Sequence, residues 1–568
     1  MGNRGADDVT ASPETMLDVL ERRAASAPEA ELVRFEDGTS LRVGECHEGA
    51  LAVARGLAGL VAPGDRVVTC LRPGRRLIEV VFALARLGAV EVPLALDVRP
   101  AAARQLAGVT GARVLIVGTD ALGGNPDLIA LAAEMEHVVL VREGKQAGVP
   151  GSVDLEGLLA SPGRRSVDLG DLVASPGRGP VDLGDLVASS GRRPVDLEEL
   201  LASPGRLASW RPGPADPAVV MATSGTTGRA KAALLPHFAG VRHARRVAHT
   251  MDYGADDVLF NVFPWNHINV RHAGLLPALI SGATLVAHAR FSASRFWETC
   301  RREGVTAFNF MGAMVAILER APVAADDDRH QVRRAYGGPA PEALSRRFLD
   351  RFGVLLLEAY ACTELGDVAA STPDVRRSGA AGQPVPEYEV VISDEDGRPL
   401  PAGQVGQITA RPRARSIVFT GYAGDDEATG KVLRDGWFWT GDRGWLDEDG
   451  FLYFAGRRAD VIRRRGENIA TWDVEQVVAA MPGVLEVAAV GVPSELTEEE
   501  VLVAVTVAPG AVLRAPQVHA WCLDRLPRHA VPRYVRVLDD LPRNTNTKVV
   551  KGELRGAGVP SDAWDAQA

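Results

Sequence analysis

The chain has 568 residues, 46% of them apolar and 24% charged, with a formal net charge of −10. That length is too great for one hydrophobic core and predicts two or more domains of ordinary globular composition. The acid excess excludes a general nucleic-acid binder, which needs a basic face for phosphates, while leaving room for a local basic pocket.

The opening "MGNRGADDVTASPETMLDVL" lacks the apolar core of a signal peptide, and Ala6 stands where a myristoylation signal needs Ser or Thr. The most apolar stretch, "LIEVVFALARLGAVEVPLAL", is interrupted by Glu79, Arg86 and Glu91, which predicts buried α/β core rather than a membrane span. Cys46, Cys70, Cys300, Cys362 and Cys522 are scattered without a CxxC pair, so neither a disulfide framework nor a zinc cluster is expected. The expected location is the reducing cytoplasm.

From about Thr15 to Val141, helical and extended runs alternate, which predicts parallel strands covered by helices. An internal repeat of period fourteen follows: "VDLEGLLASPGRRS" and three close copies run from Val153 to Ala208. Each copy offers one short apolar patch before a Ser-Pro-Gly or Ser-Ser-Gly breaker. The repeat therefore predicts a duplicated, mobile surface helix-turn without a catalytic role, not a solenoid.

Next, "PAVVMAT" reads as a strand, "TSGTTGRAK" as a loop with Lys231 opening a helix, and "HFAGVRHARRVAHTM" as that helix. α/β alternation continues to about Tyr360. From Glu387 to Phe454 short strands and an Asp-Gly turn predict a small β-subdomain. "GRRADVIRRRGEN" is a polar junction, with a domain boundary at Gly456–Asp460, and a compact α+β tail runs on to Arg555.

The loop fits neither the Walker A nor the Rossmann pattern. It places Thr223, Ser224, Gly225, Thr226, Thr227 and Gly228 between a strand and Lys231. Two glycines let a ligand approach the backbone, hydroxyl side chains can donate to phosphate oxygens, and the lysine adds a point charge. Of the remaining chemistry-bearing residues, Cys362 lacks an identifiable His partner and is not read as a nucleophile. His267 and His272, five apart without a third ligand, do not predict zinc.

"TSGTTGRAK" resembles the phosphate loop of the adenylate-forming (ANL) superfamily. "GGPAP" (337–341), "YACTE" (360–364), "TGDRG" (440–444), "GRRADVIRRRGENI" (456–469) and "LPRNTNTKVVKGELR" (541–555) follow in that superfamily's order. Within it, "RRRGENI" and "FSASRFWETCRREGVTAFNFMGAM" look most like the acyl-CoA synthetase branch containing carnitine-CoA and fatty-acyl-CoA ligases. The resemblance implies an α/β fold: a large N-terminal domain (1–456) of two α/β subdomains plus a small β-subdomain, carrying the 153–208 repeat. A small mobile α+β C-terminal domain (457–568) follows.

The implied reaction is ATP-dependent activation of a carboxylic acid as acyl-AMP, with release of pyrophosphate and transfer to CoA. The resemblance assigns the segment from Thr223 to Lys231 to the ATP phosphates and Glu364 to Mg²⁺. Thr363 falls to the α-phosphate, Tyr360 to adenine, and Asp442 and Arg457 to the ribose-phosphate. Lys548 becomes the catalytic lysine bridging acid and α-phosphate, with Lys551 as the second candidate. Gly338 and Pro339 would border the nucleotide, and Asn266, His267, Gly312 and Gly337 the acid. Departures are Ala459 at the hinge, Thr547 before Lys548, and Ala232 after Lys231. Relatives in secondary metabolism that adenylate other acids, including nitrite for diazotisation of an aryl amine, are the alternative.

Overall fold

The computed structural model describes residues 12–98, 100–142, 194–202, 204–223, 231–457, 460–464, 467–494, 498–508, 510–543, 549–556 and 558–567. Two large sheets dominate them. One has nine strands, with Leu355–Cys362, Arg334–Gly338, Ala307–Met311, Val258–Asn261 and Thr284–Ala287 side by side in its interior. The other has eight, with Pro217–Thr223, Val90–Pro93, Arg66–Cys70, Val114–Gly118 and His137–Val141 in its interior. These interior neighbours all pair in parallel.

Runs such as "RVVTC" and "VLIVG" are apolar on both sides because both faces of the sheet are covered. Val67 and Ile116 face the main core, while their neighbours Val68, Leu115 and Val117 face a second cluster on the opposite side. The main core also takes in the helices Arg75–Leu87 and His237–Thr250 and the strands of the nine-stranded sheet, so one continuous core joins the two α/β units. A buried ion pair crosses the same junction: Arg271 bonds the Glu91 carboxylate at 2.9 Å, and Thr69 donates to that carboxylate at 2.7 Å.

The expected β-subdomain is a five-stranded antiparallel sheet of Tyr388–Ser393, Gly406–Pro412, Leu433–Arg434, Trp437–Leu446 and Leu452–Arg457. Its last hairpin turns through Asp447–Gly450, where Gly450 takes φ +79°. Beyond Asp460 come a hairpin, Val461–Arg464 with Glu467–Ala470, and a separate four-stranded sheet. These residues build two clusters of their own, one around Ile462, Val474 and Val503 and one around Val490 and Leu502. The mixed α/β architecture matches the sequence-based expectation.

Two local expectations are corrected. Lys231 opens a strand, Lys231–Pro236, and the helix starts only at His237. The run "KAALLP" pairs antiparallel with Pro217–Thr223 and is closed by Pro236, whose missing N–H and fixed φ suit the position before a helix. The segment 224–230 thus joins two antiparallel strands rather than a strand and a helix.

The last repeat copy is also more than a surface turn. Val195–Asp196 adds an edge strand beside His137–Val141, and Leu197, 1% exposed, enters the main core. Asp196 is buried and bonds Arg142 at 2.5 Å. The repeat from 153 to 193 lies outside the described residues. Leu197→Ala is expected to cost about 2–4 kcal/mol in a urea melt, against under about 0.5 kcal/mol for a surface helix.

Candidate active site

The site forms around the turn Thr363–Leu365, between the antiparallel strands Leu355–Cys362 and Gly366–Ala370. Glu364 is held at this turn, 9% exposed. Its Oε1 accepts the Tyr422 hydroxyl at 2.7 Å, and its carbonyl accepts the Phe419 N–H at 2.8 Å. Tyr422 belongs to a two-residue strand that pairs with Lys231–Pro236, Tyr422 opposite Ala233. That register brings the Lys231 ammonium over the Tyr422 ring, 4.8 Å from its centroid. Thr223 lies opposite Lys231 across the hairpin. Ser224, Gly225, Thr226, Thr227 and Gly228, between them, lie outside the described residues.

A second group lies on and beside the strand that leads into the turn. Tyr360 donates its hydroxyl to Asp442 Oδ2 at 2.7 Å. Asp442 lies opposite Arg457 across the Trp437–Leu446 and Leu452–Arg457 strands, and Arg457 Nε is 3.5 Å from Oδ1. One acid therefore faces both a buried phenol and a guanidinium. The Tyr360 ring, 7% exposed, stacks on Phe454 at 6.3 Å between centroids. Burial, then the Asp442 charge, holds the Tyr360 hydroxyl well above its ordinary pKa, so it stays protonated as a donor. Burial and Glu364 likewise push the Cys362 thiol up, which removes thiolate character and agrees with its reading as a bystander.

The residues expected on the acid side fall on two segments, the Gly312–Gly338 strands and the loop before Ile268. Met311 pairs with Gly338 in adjacent parallel strands, and a Cβ on Gly312 would lie 2.5 Å from the Pro339 carbonyl oxygen. Only glycine permits that approach. Asn266 and His267 precede the short helix Ile268–Val270, where His267 Nδ1 accepts the Asn269 N–H at 3.1 Å. Asn269 Oδ1 accepts from Asn261 at 3.0 Å and Asn309 at 2.8 Å, which ties this loop to the strand leading into Gly312.

Lys548 lies outside the described residues. Lys551 is engaged elsewhere: its ammonium donates to Thr471 at 2.8 Å and pairs with Glu475 at 2.8 Å and Asp460 at 3.5 Å. These bonds give it a bracing role at the start of the tail. Among the described residues, no group of three or more His, Cys, Asp or Glu is arranged to hold a metal.

Sequence reasoning missed Tyr422, Asn269, Arg242 and Glu358. Arg242, 1% exposed, donates to the carbonyls of Leu365, Asp367 (3.2 Å) and Ile417 (3.5 Å) and to the Tyr388 hydroxyl (3.0 Å). It thus clamps the Glu364 turn to the segment that delivers Tyr422. Its signal was present: Arg242 and Arg246 stand one turn apart among Phe238, Val241, Ala244 and Val247 of the same helix. Glu358, 8% exposed, accepts the Ala340 N–H at 2.9 Å and so positions the Gly337–Pro341 loop. Burial pushes its carboxyl up to about 7.

The signature of AMP-binding enzymes matches residues 20–423, and that of the AMP-binding enzyme C-terminal domain matches residues 473–548. The chain belongs to the AMP-binding enzyme family. This AMP-binding enzyme is 32% identical over 348 residues to the crotonobetaine/carnitine–CoA ligase of Salmonella heidelberg (strain SL476), covering 60% of this chain and 66% of that protein. The crotonobetaine/carnitine–CoA ligase of Escherichia coli O7:K1 (strain IAI39 / ExPEC) is 33% identical over the same shares. The chain thus spans just under two thirds of the length of these curated relatives. The anthranilate CoA ligase AuaEII, solved with anthranoyl-AMP, superposes with a TM-score of 0.79 at 20% identity, over 97% of this chain and 99% of that one. ATP-bound MatB of Rhodopseudomonas palustris gives a TM-score of 0.78 at 24% identity, over 95% and 98%. These likenesses establish the fold.

Arg242→Met leaves several buried carbonyls and the Tyr388 hydroxyl without their donor, and is expected to lower stability by about 3–5 kcal/mol in denaturant titration. The Glu358 carboxyl, raised in the folded state, contributes stability that is complete below its unfolded pKa and is lost as pH rises through about 7. Unfolding free energy should therefore fall by about 3 kcal/mol between pH 5 and 8 through this group, and Glu358→Gln should flatten that slope.

Proposed function

We propose that the protein is an AMP-forming acid:CoA ligase. It would activate a small carboxylic acid with ATP and pass the acyl group to coenzyme A. The observation that carries this reading is that Lys231–Tyr422–Glu364 gathers at the turn ending the strand that carries Tyr360, itself bonded to Asp442 beside Arg457. A basic group beside a lone carboxylate suits a triphosphate, and an acid held by a phenol and a guanidinium suits ribose hydroxyls. The relatives named for crotonobetaine/carnitine and anthranilate support acid:CoA chemistry while differing in the acid.

In the first step the acid's carboxylate oxygen bonds the α-phosphorus as the bond to pyrophosphate breaks. Both reactants are anions, so the residues work by alignment and charge compensation. Lys231 and the 223–231 segment hold the β- and γ-phosphates, Thr363 faces the α-phosphate, and Tyr360 with Gly338–Pro339 borders adenine. Asp442 and Arg457 hold the ribose-phosphate. Glu364 would supply one hard oxygen ligand to Mg²⁺, an ion that takes few carboxylates and would offset charge on the phosphates. Asn266, His267, Gly312 and Gly337 border the acid. In the second step the CoA sulfur bonds the acyl carbon and AMP leaves.

We place the domain boundary between Gly456 and Asp460, separating 1–456 from 457–568, with Lys548 reaching the α-phosphate from the mobile C-terminal unit. The independent cores beyond Asp460 support this division. Cytoplasmic residence is supported by five free cysteines, and among the described residues no helix is long and apolar enough to cross a membrane. The acid excess supports small-molecule partners rather than nucleic acid.

ATP–pyrophosphate exchange across a panel of carboxylic acids, followed by mass detection of the thioester with CoA, tests the reading. Lys548→Ala is expected to lower exchange by about 10²–10³-fold while ATP binding survives. Exchange near the wild-type rate in that variant would remove Lys548 from its role. A diazo product from nitrite and an aromatic amine, without any thioester, would replace the CoA-ligase reading by the nitrite one.

A further inference from the structure

The helices Arg75–Leu87 and His237–Thr250, the strands Val90–Pro93 and Pro217–Thr223 and the chain from Trp265 to Leu276 meet around a cavity of about 30 Å³. It lies where the two α/β units join, beside the Glu91–Arg271 ion pair. Two of the side chains lining it are His237, 2% exposed, and Trp265, 5% exposed. Among the described residues, neither His237 ring nitrogen nor Trp265 Nε1 has a hydrogen-bond partner. Buried polar atoms are nearly always bonded, because leaving one unmade is expensive. Three such nitrogens on the wall of one cavity point to an occupant.

The backbone is shaped to leave this space. Arg271–Leu275 winds as a π-helix, with the Leu276 N–H reaching back five residues to the Arg271 carbonyl. Turns of this kind are rare and concentrate where a side chain must be re-aimed. This one sets Arg271, His272 and Leu275 on the cavity wall. Opposite them, Gly240 gives His272 its room, since a Cβ there would lie 2.9 Å from the imidazole Nε2. Arg271 is already engaged, holding the Glu91 carboxylate at 2.9 Å and the Trp265 carbonyl.

Volume and charge select the occupant. One water needs about 10–15 Å³ of such space, so this cavity takes about two and has no room for a nucleotide or a phosphate group. Burial brings His237 down to about 4 and His272 well below its ordinary range, so both rings are neutral near pH 7. The one cation on the wall faces its own carboxylate, which leaves an anion nothing to pair with. A neutral imidazole presents one donor and one acceptor, and an indole presents a donor alone. Water, which both donates and accepts, answers all three nitrogens.

We infer that this cavity is a binding site for two ordered water molecules, bonded to both His237 ring nitrogens and to the Trp265 indole N–H. The waters bridge the helix His237–Thr250 to the segment Trp265–His272, at nearly the strength of direct hydrogen bonds. Asn266 and His267 follow Trp265 directly, so the bridge anchors the loop that carries them.

The test is a crystal structure of the full-length protein, with and without pressurised xenon, together with water NOE spectra of protein labelled with ¹⁵N in its indoles. Two density peaks within hydrogen-bond distance of the His237 nitrogens and Trp265 Nε1 are expected, unchanged under xenon, which enters dry apolar cavities. In solution the Trp265 indole proton, identified by its loss in Trp265→Phe, should show a cross-peak to water with the sign of a long-lived contact. His237→Leu/Trp265→Phe should lose both density peaks, and the wild-type measurements decide the matter even where that variant fails to fold. A cavity without density, a xenon peak inside it, or an indole proton silent to water overturns the inference. Continuous density from an ion or an organic molecule overturns it in favour of a small-molecule site. Direct bonds from the three nitrogens to other protein groups overturn it as well.

Discussion

A single buried guanidinium organises this molecule's candidate site. Arg242 sits in the core helix His237–Thr250 and reaches carbonyls of the Glu364 turn, of the following strand and of the segment before Tyr422. Burying a cation is costly unless its donors are used, and here three backbone carbonyls and the Tyr388 hydroxyl offset that cost. Asp367 in turn accepts Tyr336 at 2.5 Å and lies 3.2 Å from His243 Nε2. One turn further along the helix, Arg246 bonds Glu387 at 2.8 Å, at the threshold of the small β-sheet. The helix therefore bolts that sheet to the nine-stranded one, and the clamp exists only while both are in place.

The two faces of the site differ in how their charges are handled. On the Lys231 side, the ammonium stands over the ring of the phenol that bonds Glu364, so cation and anion are kept apart by Tyr422. Each keeps capacity for an outside partner. On the Asp442 side, the acid is already bonded by Tyr360 and close to Arg457, which fixes its orientation. A cation held apart from its carboxylate and an acid held in one fixed orientation are different tools.

An aromatic path joins the site to the tail. Tyr360 stacks on Phe454, and Phe454 meets Trp472 edge-on at 5.5 Å, at the start of the helix Thr471–Ala479. Gly456, with φ +91°, allows the approach, since a Cβ there would lie 2.9 Å from the Trp472 Cβ. Lys551 braces the same corner through Asp460, Thr471 and Glu475. The end of the last N-terminal strand is thus in contact with the first helix of the tail, next to the polar junction that the sequence marks.

Much was legible from local pattern. Apolar runs bounded by Gly and Pro predicted buried parallel strands, the Asp-Gly turn predicted the small β-sheet, and motif order identified the family. Those signals are short-range, set by backbone periodicity and turn chemistry. Lys231 was misread because "KAALLP" has no period of its own; its strand character comes from pairing with Pro217–Thr223 on one side and Gly421–Tyr422 on the other. The last repeat copy likewise became an edge strand only because His137–Val141 offered it hydrogen bonds. The sequence by itself determined the α/β class, the order of the motifs and the residues flanking the 224–230 segment. Only the tertiary structure decided that Arg242, Tyr422 and Glu358 belong with them, because hydrogen bonds between residues 18 to 175 positions apart leave no trace in local periodicity.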